Sequence, residues 1–141
     1  MRKNLIKGLI LVFVLAVCTI YFVYNKPHRN ILEEKARYSL SVTEMNEEFL
    51  TDEDSAYKKY FDQIVELSGT ATSITEKGKG GYDIVLESQG SIANGELVQD
   101  DIHIADLMNQ KVALKGLFIG YDNLLEEIKL SKCSIKPLNT N

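Results

Sequence analysis

The chain has 141 residues, 20 acidic and 16 basic, with two cysteines, two histidines and no tryptophan, and a net charge of −4. That length allows one domain of about 100 residues with additions at its ends. Without Arg2, Lys3 and Lys7 at the N-terminus, 13 basic residues face 20 acidic ones, a balance of −7 that argues against tight, sequence-independent binding to nucleic acid.

Residues 8–24, GLILVFVLAVCTIYFVY, carry no charge. Counted from Leu5, with Lys7 snorkelling, the run reaches 20 residues and spans a bilayer. A cleaved signal peptide needs small residues at the end of such a run, where Tyr21, Phe22 and Tyr24 stand. A lipoprotein needs a small residue before the modified cysteine, and Val17 precedes Cys18. The expectation is therefore a retained single-pass anchor or signal-anchor over 1–24. Tyr21, Phe22 and Tyr24 suit its far interface. Basic residues flank both ends, with Lys26, Arg29, Lys35 and Arg37 on the far side. The short basic start followed at once by an apolar run is a signal-anchor layout. It places the C-terminal domain outside the cytoplasm, in a periplasm or its equivalent. Cys18 and Cys133 then lie in different environments and are poor disulfide partners, so Cys133 reads as a small buried residue.

Residues 25–40 read as a juxtamembrane spacer stiffened by Pro27. Residues 41–62 read as two helices with a short break. Ser41 or Thr43 caps the first, and Val42, Met45, Phe49 and Leu50 form its apolar stripe. Thr51 or Asp52 starts the second, whose buried side would hold Ala56, Tyr57, Tyr60 and Phe61.

Residues 63–74, QIVELSGTATSI, alternate as a half-buried strand, with Val65 and Leu67 on one face. Gly69 marks a bend, as a strand shared by two sheets of a small barrel requires. EKGKGG, 76–81, is a turn, and 82–87 is the second strand of a hairpin. Its glycines lack the Gly-Lys-Ser/Thr ending and following helix of a phosphate loop. Residues 91–98 read as a third strand broken at Asn94-Gly95, which 100–104 could extend, and 105–109 as a helical turn. Residues 110–121 repeat the earlier pattern: Gln63-x-Val65-x-Leu67-x-Gly69 matches Gln110-x-Val112-x-Leu114-x-Gly116. The match suggests equivalent bends at Gly69 and Gly116. Asp122-Asn123 turns the chain into a last strand over 124–135, and 136–141 is a polar tail.

The expected fold is mainly β with α. An N-terminal transmembrane helix and a helix pair precede a five-stranded OB-fold, a Greek-key barrel. The helical lead-in and barrel together occupy 41–135.

Several residues carry a stronger resemblance. They are Asn25-Lys26-Pro27-His28-Arg29, Ala56-x-x-x-Tyr60, Val65-Glu66-Leu67-Ser68-Gly69-Thr70, Lys115-Gly116 with Gly120-Tyr121, and the ending from Glu127 to Ile135. Over about 25–135 the chain resembles the tRNA_anti-like family, OB-fold lipoproteins or membrane-anchored proteins of Bacteroidetes-type bacteria. The resemblance implies an OB barrel and an envelope location, and no established activity. The family name records a likeness of fold to anticodon-binding domains. Members often carry a second cysteine after the glycine of the fourth strand; Leu117 and Phe118 stand there in this chain.

The functional expectation is a membrane-tethered, non-catalytic binding module with an unknown protein or glycan partner. Its binding rim would be Lys77, Lys79, Tyr82 and Tyr121. The competing interpretation of the two tyrosines is that they fill the barrel edge. The alternatives are an assembly component acting through residues 42–61, and a nucleic-acid-binding OB domain, which the acidic balance disfavours. No nucleophile–base pair or metal-spaced set points to an enzyme or a cofactor. Asp100, Asp101, His103 and Asp106 form the only carboxylate–histidine cluster in the sequence, and its alternation suits a wet strand face better than a metal site.

Overall fold

The structure is a computed structural model and describes residues 2–24, 30–78, 80–98 and 103–138. Helix α1 spans Arg2–Tyr24. Within it Ile6–Tyr24 is long and apolar enough to cross a membrane, and none of that stretch is buried in the protein. At 1.5 Å per residue its 19 residues reach about 28 Å, close to the thickness of a hydrocarbon core. Thr19 donates its hydroxyl back to the carbonyls of Leu15 and Ala16, at 3.0 and 2.8 Å, so its polar atom needs no outside partner.

A short strand, β1 (Tyr38–Ser41), precedes helices α2 (Val42–Thr51) and α3 (Glu53–Tyr60). Strands β2 (Ile64–Lys77), β3 (Gly81–Ser88), β4 (Ser91–Leu97), β5 (Lys111–Asp122) and β6 (Glu127–Pro137) follow. The last five pair in the order β2-β3-β4-β6-β5 and close through β2–β5. Pairing of β4 with β6 is parallel and the other barrel pairings are antiparallel, which is OB topology. A 3-10 turn at Ile104–Leu107 links β4 to β5 and buries Leu107.

Both helix starts have local causes. Ser41 accepts from the backbone N–H of Glu44, and Glu44 accepts from that of Ser41 at 2.6 Å, a complete capping box. Asp52 accepts from the N–H of Ser55 and caps α3. The Ser41 bonds lower the Glu44 pKa, backbone first, then side chain. Glu44 therefore stabilises the fold fully above the ordinary carboxylate range, and this support fades as pH falls through the lowered value. Ser41→Ala is expected to cost about 1 kcal/mol at neutral pH. Thermal melts followed by circular dichroism check this, and the wild-type midpoint should itself fall on acidification. Of the expected apolar faces, Val42, Met45, Phe49, Ala56 and Tyr60 are buried, whereas Leu50 and Phe61 lie exposed.

Strand β2 serves two barrel partners, as closure requires, and β1 pairs with it as well. Ile64–Thr70 pairs with β5, and Thr70–Lys77 pairs with β3. The two similar stretches of sequence pair with each other, with Val65 opposite Gly116, Leu67 opposite Leu114 and Gly69 opposite Val112. Each glycine thus faces the partner stretch's valine. The irregularity in β2 falls between Ala71 and Ser73, not at Gly69, whereas Gly116 does sit at one, between Lys115 and Leu117.

Two further expectations change. Asn94-Gly95 does not break β4. A Cβ on Gly95 would lie 2.7 Å from Leu114 Cδ2 and 2.9 Å from Cys133 Sγ, so this glycine serves the crowded interior. The turn lies earlier, at Gln89 and Gly90, whose φ values of 50° and 86° make a two-residue hairpin loop. The last strand begins at Glu127, after a loop over 123–126. Its buried residues switch from Ile128 and Leu130 to Cys133 and Ile135 because Lys132, at φ 51°, lies at an irregularity in both flanking ladders.

Part of the expected spacer also contacts the barrel. Ile31 is buried, and Lys115 donates to the carbonyls of Leu32 and Glu34 at 2.8 and 3.1 Å. Residues 25–29 lie outside the described residues.

Candidate binding surface

Of the rim residues that the structure describes, Lys77 and Tyr82 lie close together at the end of the β2–β3 hairpin, and Tyr121 lies apart from them. Lys77 ends β2, and its ammonium lies 2.9 Å from Asp83 and 3.4 Å from Glu96. The Asp83 bond is the main cause that raises its pKa. Tyr82, half-buried on β3, packs against the core. Lys79 lies outside the described residues. Tyr82 pairs with Leu97, whereas Tyr121 shares a row with Ile128 and Ala93. Leu97 and Ala93 stand four positions apart on β4, so the tyrosines are separated by about 13 Å along the strand direction.

Tyr121 locks the helices to the barrel. Its ring stacks on Phe49 at 4.5 Å and 11°. Its hydroxyl donates to Asn46 Oδ1 at 2.7 Å, and Asn46 donates on to Ser91 Oγ at 3.2 Å. Its backbone N–H donates to Tyr57 Oη at 2.8 Å, and that hydroxyl donates to the Tyr121 carbonyl. Burial raises the Tyr121 pKa. Tyr121→Phe keeps the stacking but leaves buried Asn46 short of a donor. The expected loss is about 1–3 kcal/mol in chemical denaturation. An unchanged midpoint would mean that water reaches Asn46.

Along β3 and β4 inward and outward residues alternate. The outer side of β3 and β4 carries Asp83, Val85 and Glu87 beside Glu96, Asn94 and Ile92. OB domains bind oligonucleotides and oligosaccharides on this wall and its flanking loops. Here it holds three carboxylates and no aromatic ring; Tyr82 alternates inward with Ile84 and Leu86.

The β5–β6 loop beside it is held by Asp122. This carboxylate accepts from the N–H groups of Leu124 and Leu125 at 3.1 and 3.3 Å and pairs with Lys129 at 3.1 Å. The Lys129 bond is the first cause of its lowered pKa. Asn123 donates to Glu53 on α3 at 2.8 Å. Leu124 and Leu125 consequently project into solvent, 95% and 65% exposed. The sequence had placed both at the start of the last strand.

A groove of about 690 Å³ crosses the other side of β2 and is lined by Ser68, Thr70, Thr72, Glu87 and Lys111. Leu138 also lines it, and no aromatic ring stands among its lining residues to hold a small molecule. His103 and Asp106 are exposed, Asp100 and Asp101 fall outside the described residues, and no metal-binding group of three occurs among the described residues.

The tRNA_anti-like family pattern matches residues 1–134. The chain belongs to the tRNA_anti-like family. This tRNA_anti-like chain is also similar in fold to a candidate nucleic acid-binding lipoprotein from Klebsiella pneumoniae. They share 12% identity and a TM-score of 0.51, over 72% of this chain and 91% of the other. A candidate aspartyl-tRNA synthetase from Leishmania major matches at 14% identity and a TM-score of 0.49. That match covers 86% of this chain but only 25% of the synthetase. In the S. pombe Stn1–Ten1 complex the match covers 53% of this chain and 57% of the other, at 17% identity and a TM-score of 0.41. No curated protein sequence matches the chain.

Proposed function

We propose that this tRNA_anti-like chain is a non-catalytic, membrane-tethered OB domain of the bacterial envelope that binds a protein partner. One observation carries the proposal: an acidic, aromatic-free β3–β4 wall lies beside a rigid apolar loop tip. Nucleic acid demands the reverse, with cations to neutralise phosphates and rings to stack on bases. A wall bearing Asp83, Glu87 and Glu96 repels a phosphate backbone, and Lys77 is already engaged by two of those carboxylates. Leu124 and Leu125 expose apolar area that protein contact would remove from water. The helix over Ile6–Tyr24 supports attachment to a membrane, and the short basic start with Arg2, Lys3 and Lys7 supports placing the barrel outside the cytoplasm.

Two measurements on intact chain test this. Protease added to spheroplasts should digest the barrel while a cytosolic control survives. A photocrosslinker placed at residue 124 should yield a protein adduct in cells. A protected barrel overturns the location, and a nucleic-acid adduct overturns the partner class.

A further inference from the structure

Strand β1 is the open edge of the sheet. It pairs with β2 in parallel, from Tyr38 opposite Val65 to Ser41 opposite Ser68. It ends the strand order, so its other side has no strand partner among the described residues. In a parallel pairing alternate residues turn their N–H and C=O groups to the neighbour, and the intervening residues turn theirs away. Such an edge accepts a further strand.

A groove of about 750 Å³ runs beside this edge, bounded by β1 on one side and by α2 and α3 on the other. Its helical wall presents Glu44, Glu47, Glu48 and Asp52. Among the described residues no hydrogen bond or ion pair engages the Glu47 carboxylate. Lys59 is the one basic residue in the lining, and it demonstrates what the groove accommodates. Its ammonium lies 2.7 Å from Glu48, and 4.7 and 5.4 Å from the ring centroids of Tyr60 and Tyr38. The Glu48 bond leads the causes that raise its pKa. Carboxylates on one wall and aromatic faces below therefore hold a cation beside an unpaired strand edge.

We propose that this edge and acidic wall form a docking groove for an extended, basic segment of a partner protein, which adds to β1 as a strand. The proposal rests on the protein-binding function given above and names the partner's chemistry. Strand addition supplies backbone bonds, and alternate lysine or arginine side chains of the segment face α2. Charge complementarity excludes an acidic segment of the same length.

The test uses the full chain in detergent micelles and a fluorescent, end-blocked peptide of alternating valine and lysine. Saturable binding that weakens with salt is expected, with none for the valine–glutamate counterpart. Glu47→Lys, an exposed change away from the caps and the core, should weaken binding about tenfold. N-methylation of one set of alternate peptide amides should abolish binding, and methylation of the other set should leave it intact. Equal binding by both methylated peptides would reduce the effect to surface charge and overturn strand addition. Absence of binding by the valine–lysine peptide overturns the groove itself. So does a concentration-dependent dimer that Glu47→Lys dissolves, because the occupant would then be a second copy of the chain. A protein adduct from residue 124 in cells, without peptide binding, would sink the groove and leave the broader function standing.

Discussion

Replacing Phe49 with alanine is expected to cost about 3–5 kcal/mol and to release the helix pair from the barrel. Phe49 is 3% exposed and sits at the centre of the aromatic cluster. Tyr57 and Tyr60 of α3 lie 5.4 and 6.1 Å from it, and Phe118 and Tyr121 of β5 lie 5.4 and 4.5 Å away. Truncation therefore opens a cavity where α2, α3 and β5 meet. Its walls are anchored by barrel backbone and by the Tyr57–Tyr121 bonds, so they cannot easily collapse inward. Urea denaturation read by near-ultraviolet circular dichroism reports the loss, since the tyrosines carry the signal. A cost under about 1.5 kcal/mol would show that the polar chain from Tyr121 through Asn46 to Ser91 holds the helices instead. The outcome also bears on function. Helix α2 supplies Glu47 and Glu48 to the groove beside β1, so a chain with undocked helices should lose that wall while α1 keeps its own hydrogen bonds.

What could be read from sequence was what local chemistry decides. The helix pair was readable because Ser41 with Glu44 and Asp52 with Ser55 act within three residues of one another. The barrel strands were readable because alternation reports which face is buried. Strand β1 was not, since Tyr38–Ser41 is four residues long and its partner Val65 lies far along the chain. Asn94-Gly95 carries a turn signal that the barrel interior overrides. Lys132 gives no local sign of the irregularity that shifts the buried parity of β6. The same distinction separates Tyr121 from the acidic wall. Tyr121 has the composition of a binding residue, yet its bond to Asn46 crosses 75 positions of sequence. The acidic wall, by contrast, follows directly from the alternation of Asp83, Val85 and Glu87, and only its pairing with Glu96 and Asn94 needed the fold.

Gly116→Ala should be the most damaging single-methyl addition in the barrel. A Cβ built there lies 2.5 Å from Cys133 Sγ and 3.1 Å from the Ser131 carbonyl, and one built on Gly95 of β4 would lie 2.9 Å from the same sulfur. The sulfur has no free space on either side, so the methyl must displace β6. Overpacking of this kind costs about 1–3 kcal/mol, and backbone contact places this case at the upper end. Alanine's better strand entropy returns only about 0.5–1 kcal/mol. Cys133→Ala alone should cost about 1 kcal/mol through the small void it leaves. In the double variant the sulfur clash disappears and the carbonyl clash remains, so the two costs should fall short of their sum by about 1 kcal/mol or more. The thiol gives a second readout. Burial pushes the Cys133 pKa up to about 12, so little thiolate exists at neutral pH. In a Cys18→Ser background an aromatic disulfide reagent should label native Cys133 only on unfolding, and Gly116→Ala should bring labelling into the native range. Strictly additive costs with an unreactive thiol would mean that β6 yields without moving Cys133, and that these glycines do not exist to make room for it.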